Sequence, residues 1–93
     1  MSQEHDWMRP ALEALFDTVS LEDARAAVLS DERRSALRAS LNEALGDGQI
    51  PDGQYADNLF QGLLALRMKF ERAEAMRKLD LNLSMRSQRG SNK

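Results

Sequence analysis

The chain has 93 residues, 30% of them charged, no Cys and a formal net charge of −2. That length allows one domain with a modest core, and the missing Cys excludes disulfides, thiolate nucleophiles and cysteine-based zinc sites. The longest apolar runs, Leu63-Leu64-Ala65-Leu66 and Ala26-Ala27-Val28-Leu29, are far short of the roughly 20 residues that span a bilayer.

The chain opens Met1-Ser2-Gln3-Glu4-His5-Asp6, which is polar and acidic. A secretory signal would be basic and then apolar, so we expect a cytoplasmic protein with no membrane partner. Residues 1–8 show no periodicity and are expected to fray, unless Trp7 or Met8 folds back onto the next element. Pro10 suits the first turn of a helix. Leu12, Leu15, Phe16 and Val19 then share one face, which predicts a short helix over about residues 9–19.

Ser20-Leu21-Glu22-Asp23 has the form of a capping box. A second short helix over about 21–29 would present Leu21, Ala24, Val28 and Leu29. Ser30-Asp31-Glu32 is another start signal, a Ser cap followed by acids at the positive end of a helix dipole. The third helix runs to about Leu45 with a stripe of Leu37, Leu41, Ala44 and Leu45. One continuous helix over 21–45 is equally compatible with these residues.

Gly46-Asp47-Gly48-Gln49-Ile50-Pro51-Asp52-Gly53 is the strongest punctuation in the chain and marks a turn. Gly46 or Gly48 can take the left-handed conformation that ends a helix. An EF-hand frame starting at Asp47 fails: it puts Pro51 where a ligand oxygen is needed, Asp52 where Gly is needed and Asn58 where Glu is needed.

The fourth helix is predicted over about 52–79. Tyr55, Leu59, Leu63, Leu66, Phe70 and Ala73 recur at steps of 4, 4, 3, 4 and 3, a stripe close to that of a coiled coil. Such a helix would be roughly 40 Å long at ~1.5 Å per residue. It would overhang a third helix of about 22 Å unless the N-terminal pieces or another chain cover the rest. Residues 80–93 lose the pattern and are expected to be a disordered basic tail. The predicted architecture is all-α. A helical hairpin carries one or two short N-terminal helices, forming a small bundle over residues 9–79.

Chemistry is sparse. His5 is the only His, and without Cys or a second His a transition-metal site is not supported. The acid pairs Glu22-Asp23 and Asp31-Glu32 sit where a helix dipole favours them. No phosphate loop, nucleophile elbow or triad is present. We therefore expect a chain that is not an enzyme, with no cofactor, no metal and no small-molecule substrate.

Charge is divided unevenly. Residues 1–58 carry 12 acidic and 5 basic side chains, and residues 59–93 carry 3 acidic and 8 basic ones. The basic third offers Arg77, Lys78, Arg86 and Arg89 to phosphates, so a small nucleic-acid-binding regulator is one alternative. Acids interrupt that series, and a pI near 5.3 is low for a dedicated nucleic-acid domain. The apolar stripe is the stronger signal. It predicts a partner surface of Tyr55, Leu59, Leu63, Leu66 and Phe70, helped by adaptable Met68, Met76 and Met85. The partner is another protein or a second copy of the chain in a helical homo-oligomer.

Leu37, Leu41 and Leu45, the turn Gly48-Gln49-Ile50-Pro51-Asp52-Gly53-Gln54-Tyr55 and the Leu59, Leu63, Leu66 stripe together resemble the small helical-hairpin co-chaperones of bacterial type III secretion systems. The resemblance covers about residues 35–79. It implies a co-chaperone that binds a secretion subunit or its main chaperone before export. Tyr55, Leu59, Leu63, Leu66 and Phe70 would line the contact.

Overall fold

The computed structural model describes residues 6–46 and 49–91, with side chains described as far as Leu83. Five helices follow one another along these residues: α1 (Met8–Thr18), α2 (Leu21–Leu29), α3 (Asp31–Leu45), α4 (Gln54–Lys69) and α5 (Arg72–Ser91). No strand occurs among the described residues. The fold is all-α, a small helical bundle.

Two serines separate the first three helices. The Ser20 hydroxyl accepts from the Asp23 N–H at 3.1 Å, and the Ser30 hydroxyl accepts from the Arg33 N–H at 3.2 Å. Ser30 is extended (φ −133°, ψ 124°) and serves α2 as C-cap and α3 as N-cap. Residues 21–45 are therefore two helices rather than one. Because Ser30 Oγ holds an otherwise orphaned donor, Ser30→Ala is expected to cost about 1 kcal/mol. In thermal unfolding that corresponds to a drop of roughly 4–8 °C; an unchanged midpoint would show that the cap is dispensable.

The core gathers Trp7, Met8, Leu12 and Leu15 from the first segment, Ala24 and Ala27 from α2 and Leu41 from α3. Ile50, Phe60, Leu63, Leu64, Ala75 and Leu79 join them, with Ala11, Ala14, Val19 and Ala56 filling the space between. Trp7 and Met8 are buried, so the frayed start expected through residue 8 is corrected: the chain folds back onto α1 from Trp7 onward. Residues 1–5, His5 among them, lie outside the described residues.

The segment between α3 and α4 is pinned by one amide. Asn42 accepts from the Ile50 N–H at 2.8 Å and donates to the Ile50 carbonyl at 3.2 Å. This side chain imitates a strand partner and lets the Ile50 side chain enter the core without orphaning its backbone. Gly46 (φ 103°) and Gly53 (φ 115°) bracket the segment at positive φ, both extended in ψ rather than left-handed helical. Asp47 and Gly48 lie outside the described residues.

The helix expected over 52–79 is two helices. It breaks at Phe70, which is extended (φ −125°, ψ 155°) while its N–H still reaches the Leu66 carbonyl at 2.9 Å. Neither Gly nor Pro stands there, so the cause is tertiary. A straight continuation would run past the end of α1. By turning back, α5 buries Ala75 and Leu79, pairs Arg72 with Asp17 and Asp80 with Arg9, and sets Arg72 over the Phe16 ring at 5.8 Å. The helix then continues to Ser91, where the sequence pattern predicts a disordered tail. Residues 92 and 93 lie outside the described residues.

The buried face of α4 is also one residue out of phase with the predicted stripe. Ala56, Phe60, Leu63 and Leu64 face the core. Arg67 extends that face: its guanidinium donates to the Leu15 and Val19 carbonyls at 3.0 and 2.7 Å and lies 5.2 Å from the centre of the Phe16 ring. It thereby satisfies carbonyls at the end of α1 that have no helical partner. Tyr55, placed in the stripe by its spacing, is 56% exposed.

Candidate functional site

A groove of about 570 Å³ runs between α4 and α5. On α4 it is lined by Leu59, Leu63, Leu66 and Phe70, at steps of 4, 3 and 4, with the small residues Gly62 and Ala65 between them. On α5 it is lined by Leu79 and Leu83, again four apart, and Met8 contributes from the start of α1. Leu63 and Leu79 are buried, Leu59, Leu66, Phe70 and Leu83 are half-buried, and among the described residues no third helix lies over them. From Asn58 to Phe70 the α4 wall measures about 18 Å at ~1.5 Å per residue.

Four of the five partner-binding residues predicted from sequence, Leu59, Leu63, Leu66 and Phe70, meet in this groove. Tyr55 does not line it. Sequence reasoning missed the α5 wall, although Ala75, Leu79 and Leu83 recur every four residues and signal an apolar edge. It also missed Gly62. A Cβ built there meets nothing within 4 Å, although a Gly in an exposed helix interior costs about 1 kcal/mol relative to Ala.

The predicted basic set is dispersed. Arg77 pairs with Glu74 at 2.5 Å. Lys78 joins the groove, its Nζ 5.3 Å from the centre of the Phe70 ring. Arg86 and Arg89 lie on the α5 backbone helix, with side chains outside the described residues. Arg67 and Arg72, the other guanidinium groups of the basic half, serve the α1 contacts already described.

A second, polar depression of about 240 Å³ lies between α3 and the start of α4, around Arg34, Arg38 and Asp57. Arg34 is buried, at 4% exposure. Its Nε donates to both Asp57 oxygens at 3.0 and 3.1 Å. Nη1 donates to the Ala27 and Val28 carbonyls at 3.0 and 3.3 Å, and Nη2 pairs with Asp31. The Gln61 amide, turned with its oxygen toward the guanidinium, accepts from Nη1 at 2.9 Å. Arg38 reaches Asp57 at 3.3 Å. The hydrogen bond to Asp57 raises the Arg34 pKa above its ordinary value, against the opposing effect of burial. These charges are satisfied by one another and by the backbone end of α2, so the cluster joins α2, α3 and α4 and holds no nucleophile or base poised for a substrate.

Among the described residues no three His, Asp or Glu side chains gather as a metal site would require, and no helix is long and apolar enough to cross a membrane. Compared with known proteins, the chain matches no family model, no curated protein and no solved structure.

Proposed function

We propose that this chain is a non-catalytic protein-binding module, an adaptor or co-chaperone, that receives a helix of another protein in the groove between α4 and α5. One observation carries the reading. Half-buried Leu59, Leu66 and Phe70 on the α4 side and Leu83 on α5 line an apolar groove over the buried Leu63 and Leu79, and among the described residues no third helix fills it. A helix laid in such a groove anchors through side chains at i, i+3 or i+4 and i+7. Gly62 and Ala65 supply the close approach that helix packing needs. The resemblance of residues 35–79 to type III secretion co-chaperones names one class of occupant, a secretion subunit or its main chaperone.

Gly62 gives a test that spares the core, because the space beyond its Cα is open. Gly62→Ala is expected to raise the stability of the free protein by about 0.5–1 kcal/mol through helix propensity. Gly62→Leu fills the groove. A displayed library of helical peptides should enrich sequences with leucine-like anchors at helical period. Their affinity should fall about tenfold or more for Gly62→Leu, since overpacking a fitted interface costs roughly 1–3 kcal/mol. Enriched peptides that bind wild type and Gly62→Leu equally would overturn the assignment.

A further inference from the structure

The groove has a charge pattern as well as a shape. Among the described residues, its ionisable lining side chains are Lys69 and Lys78. Both stand at one end: Lys69 precedes Phe70 in the chain, and the Lys78 ammonium lies over the Phe70 ring. Of the acids nearest this end, Glu74 pairs with Arg77 and Asp80 with Arg9, and Glu71, exposed in the link after Phe70, does not line the groove. The other end carries the neutral amides of Asn58 and Asn82. Two ammonium groups beside apolar walls create a local field that water screens less than it would on an open surface.

We propose that the groove selects an acidic amphipathic helix of a partner protein. Its apolar side chains lie along Leu59, Leu63 and Leu66, and its carboxylates lie in the turn over Phe70, against Lys69 and Lys78. This rests on the docking reading above and adds the partner's chemistry and direction. Acids are best accommodated in a helix's first turn, so the occupant's N-terminal turn sits at the Phe70 end and the occupant runs antiparallel to α4. The C-terminal carbonyls of α4 end there too, and they favour the positive end of a neighbouring dipole. A second copy is a poorer occupant. Its α2 carries Glu22 and Asp23 in the first turn, but Arg25 stands midway between the exposed Leu21 and Leu29 and breaks the apolar row, and its other exposed leucine, Leu81, lies on α5 itself.

The test uses the full chain and two synthetic peptides of about 14 residues, long enough to span the α4 wall. They share one leucine row and differ in carrying Glu or Lys in the first turn. At low salt the Glu peptide is expected to bind about tenfold tighter, the effect of turning two weak attractions into repulsions, and the gap should narrow at about 0.5 M salt. The double variant Lys69→Glu/Lys78→Glu, at exposed positions and checked for an unchanged melt, should reverse the preference. Equal binding of the two peptides, or the same preference in the double variant, would overturn the acidic assignment and leave docking standing. If neither these peptides nor any library helix binds, the docking reading falls with it. Sedimentation of the chain alone should show a monomer; a dimer lost in the double variant would overturn the proposal by making a second copy the occupant.

Discussion

Arg34→Ala is expected to remove about 3–5 kcal/mol of stability, the cost of breaking a buried ion pair by deleting one partner. A chain of this length has roughly 5–14 kcal/mol in total, so the variant should be at or near the edge of unfolding. The reason is cumulative. The Arg34 guanidinium satisfies Asp57, Asp31 and the Ala27 and Val28 carbonyls at once. The Asp57 side chain is itself only 18% exposed. Removing the guanidinium leaves a partly covered carboxylate with Arg38 alone, and two carbonyls at the end of α2 with no donor in its place. In urea unfolding the midpoint should fall by about 2–3 M, for a slope near 1.5 kcal/mol per M.

The conservative variant separates charge from geometry. Arg34→Lys keeps the cation but loses the planar guanidinium whose three nitrogens reach Asp57, the α2 carbonyls and Asp31 at once, and should cost about 1–3 kcal/mol. Asp57→Asn should cost less than Arg34→Ala, because Arg34 keeps its bonds to Asp31 and to the α2 carbonyls. A double-mutant cycle between Arg34 and Asp57 should give a coupling of about 1 kcal/mol or more. A loss under about 1 kcal/mol for Arg34→Ala would mean that the cluster decorates the junction of α2, α3 and α4 rather than holding it.

Which parts of this fold were legible in the sequence follows from the range of the interactions that cause them. The breaks at Ser20 and Ser30 are local events, a hydroxyl reaching an N–H three residues on; the residues mark both as start signals, yet the sequence leaves one helix or two over 21–45 open. The turn glycines Gly46 and Gly53 are equally local. The break at Phe70 is not: it depends on Asp17 and Arg9, more than 50 residues away, drawing α5 back across α1. Arg34 reads from sequence as a solvated helix charge, since burying it requires Asp57 from α4 and the exposed end of α2, which come together only in the fold.

The stripe on α4 is the most informative discrepancy. Its apolar residues span more than one helical face, because Leu59 and Phe60 are adjacent, as are Leu63 and Leu64. Choosing Tyr55, Leu59, Leu63, Leu66 and Phe70 by spacing follows one side of that arc, and four of those five line the groove, Leu63 while also buried in the core. The core lies along the other side, where Ala56 is too small to draw attention and Arg67 is charged. The sequence therefore marked the candidate site more clearly than it marked the core.

That division of α4 leads to the last expected result. Phe60 is the largest of the fully buried side chains, so Phe60→Ala should cost about 3–5 kcal/mol, the transfer term plus the cavity left behind. Phe60→Leu, which keeps most of the volume, should cost about 1–1.5 kcal/mol. Tyr55→Ala, at a position 56% exposed, should cost under about 1 kcal/mol. If the sequence stripe were instead the core, Tyr55 and Phe60 would exchange places in this order, and urea unfolding of the three variants decides it. The same separation predicts what each face does for binding. Phe60→Leu should lower the unfolding midpoint while leaving peptide affinity near wild type, because its side chain does not line the groove. Gly62→Leu should do the reverse, only two positions along the same helix.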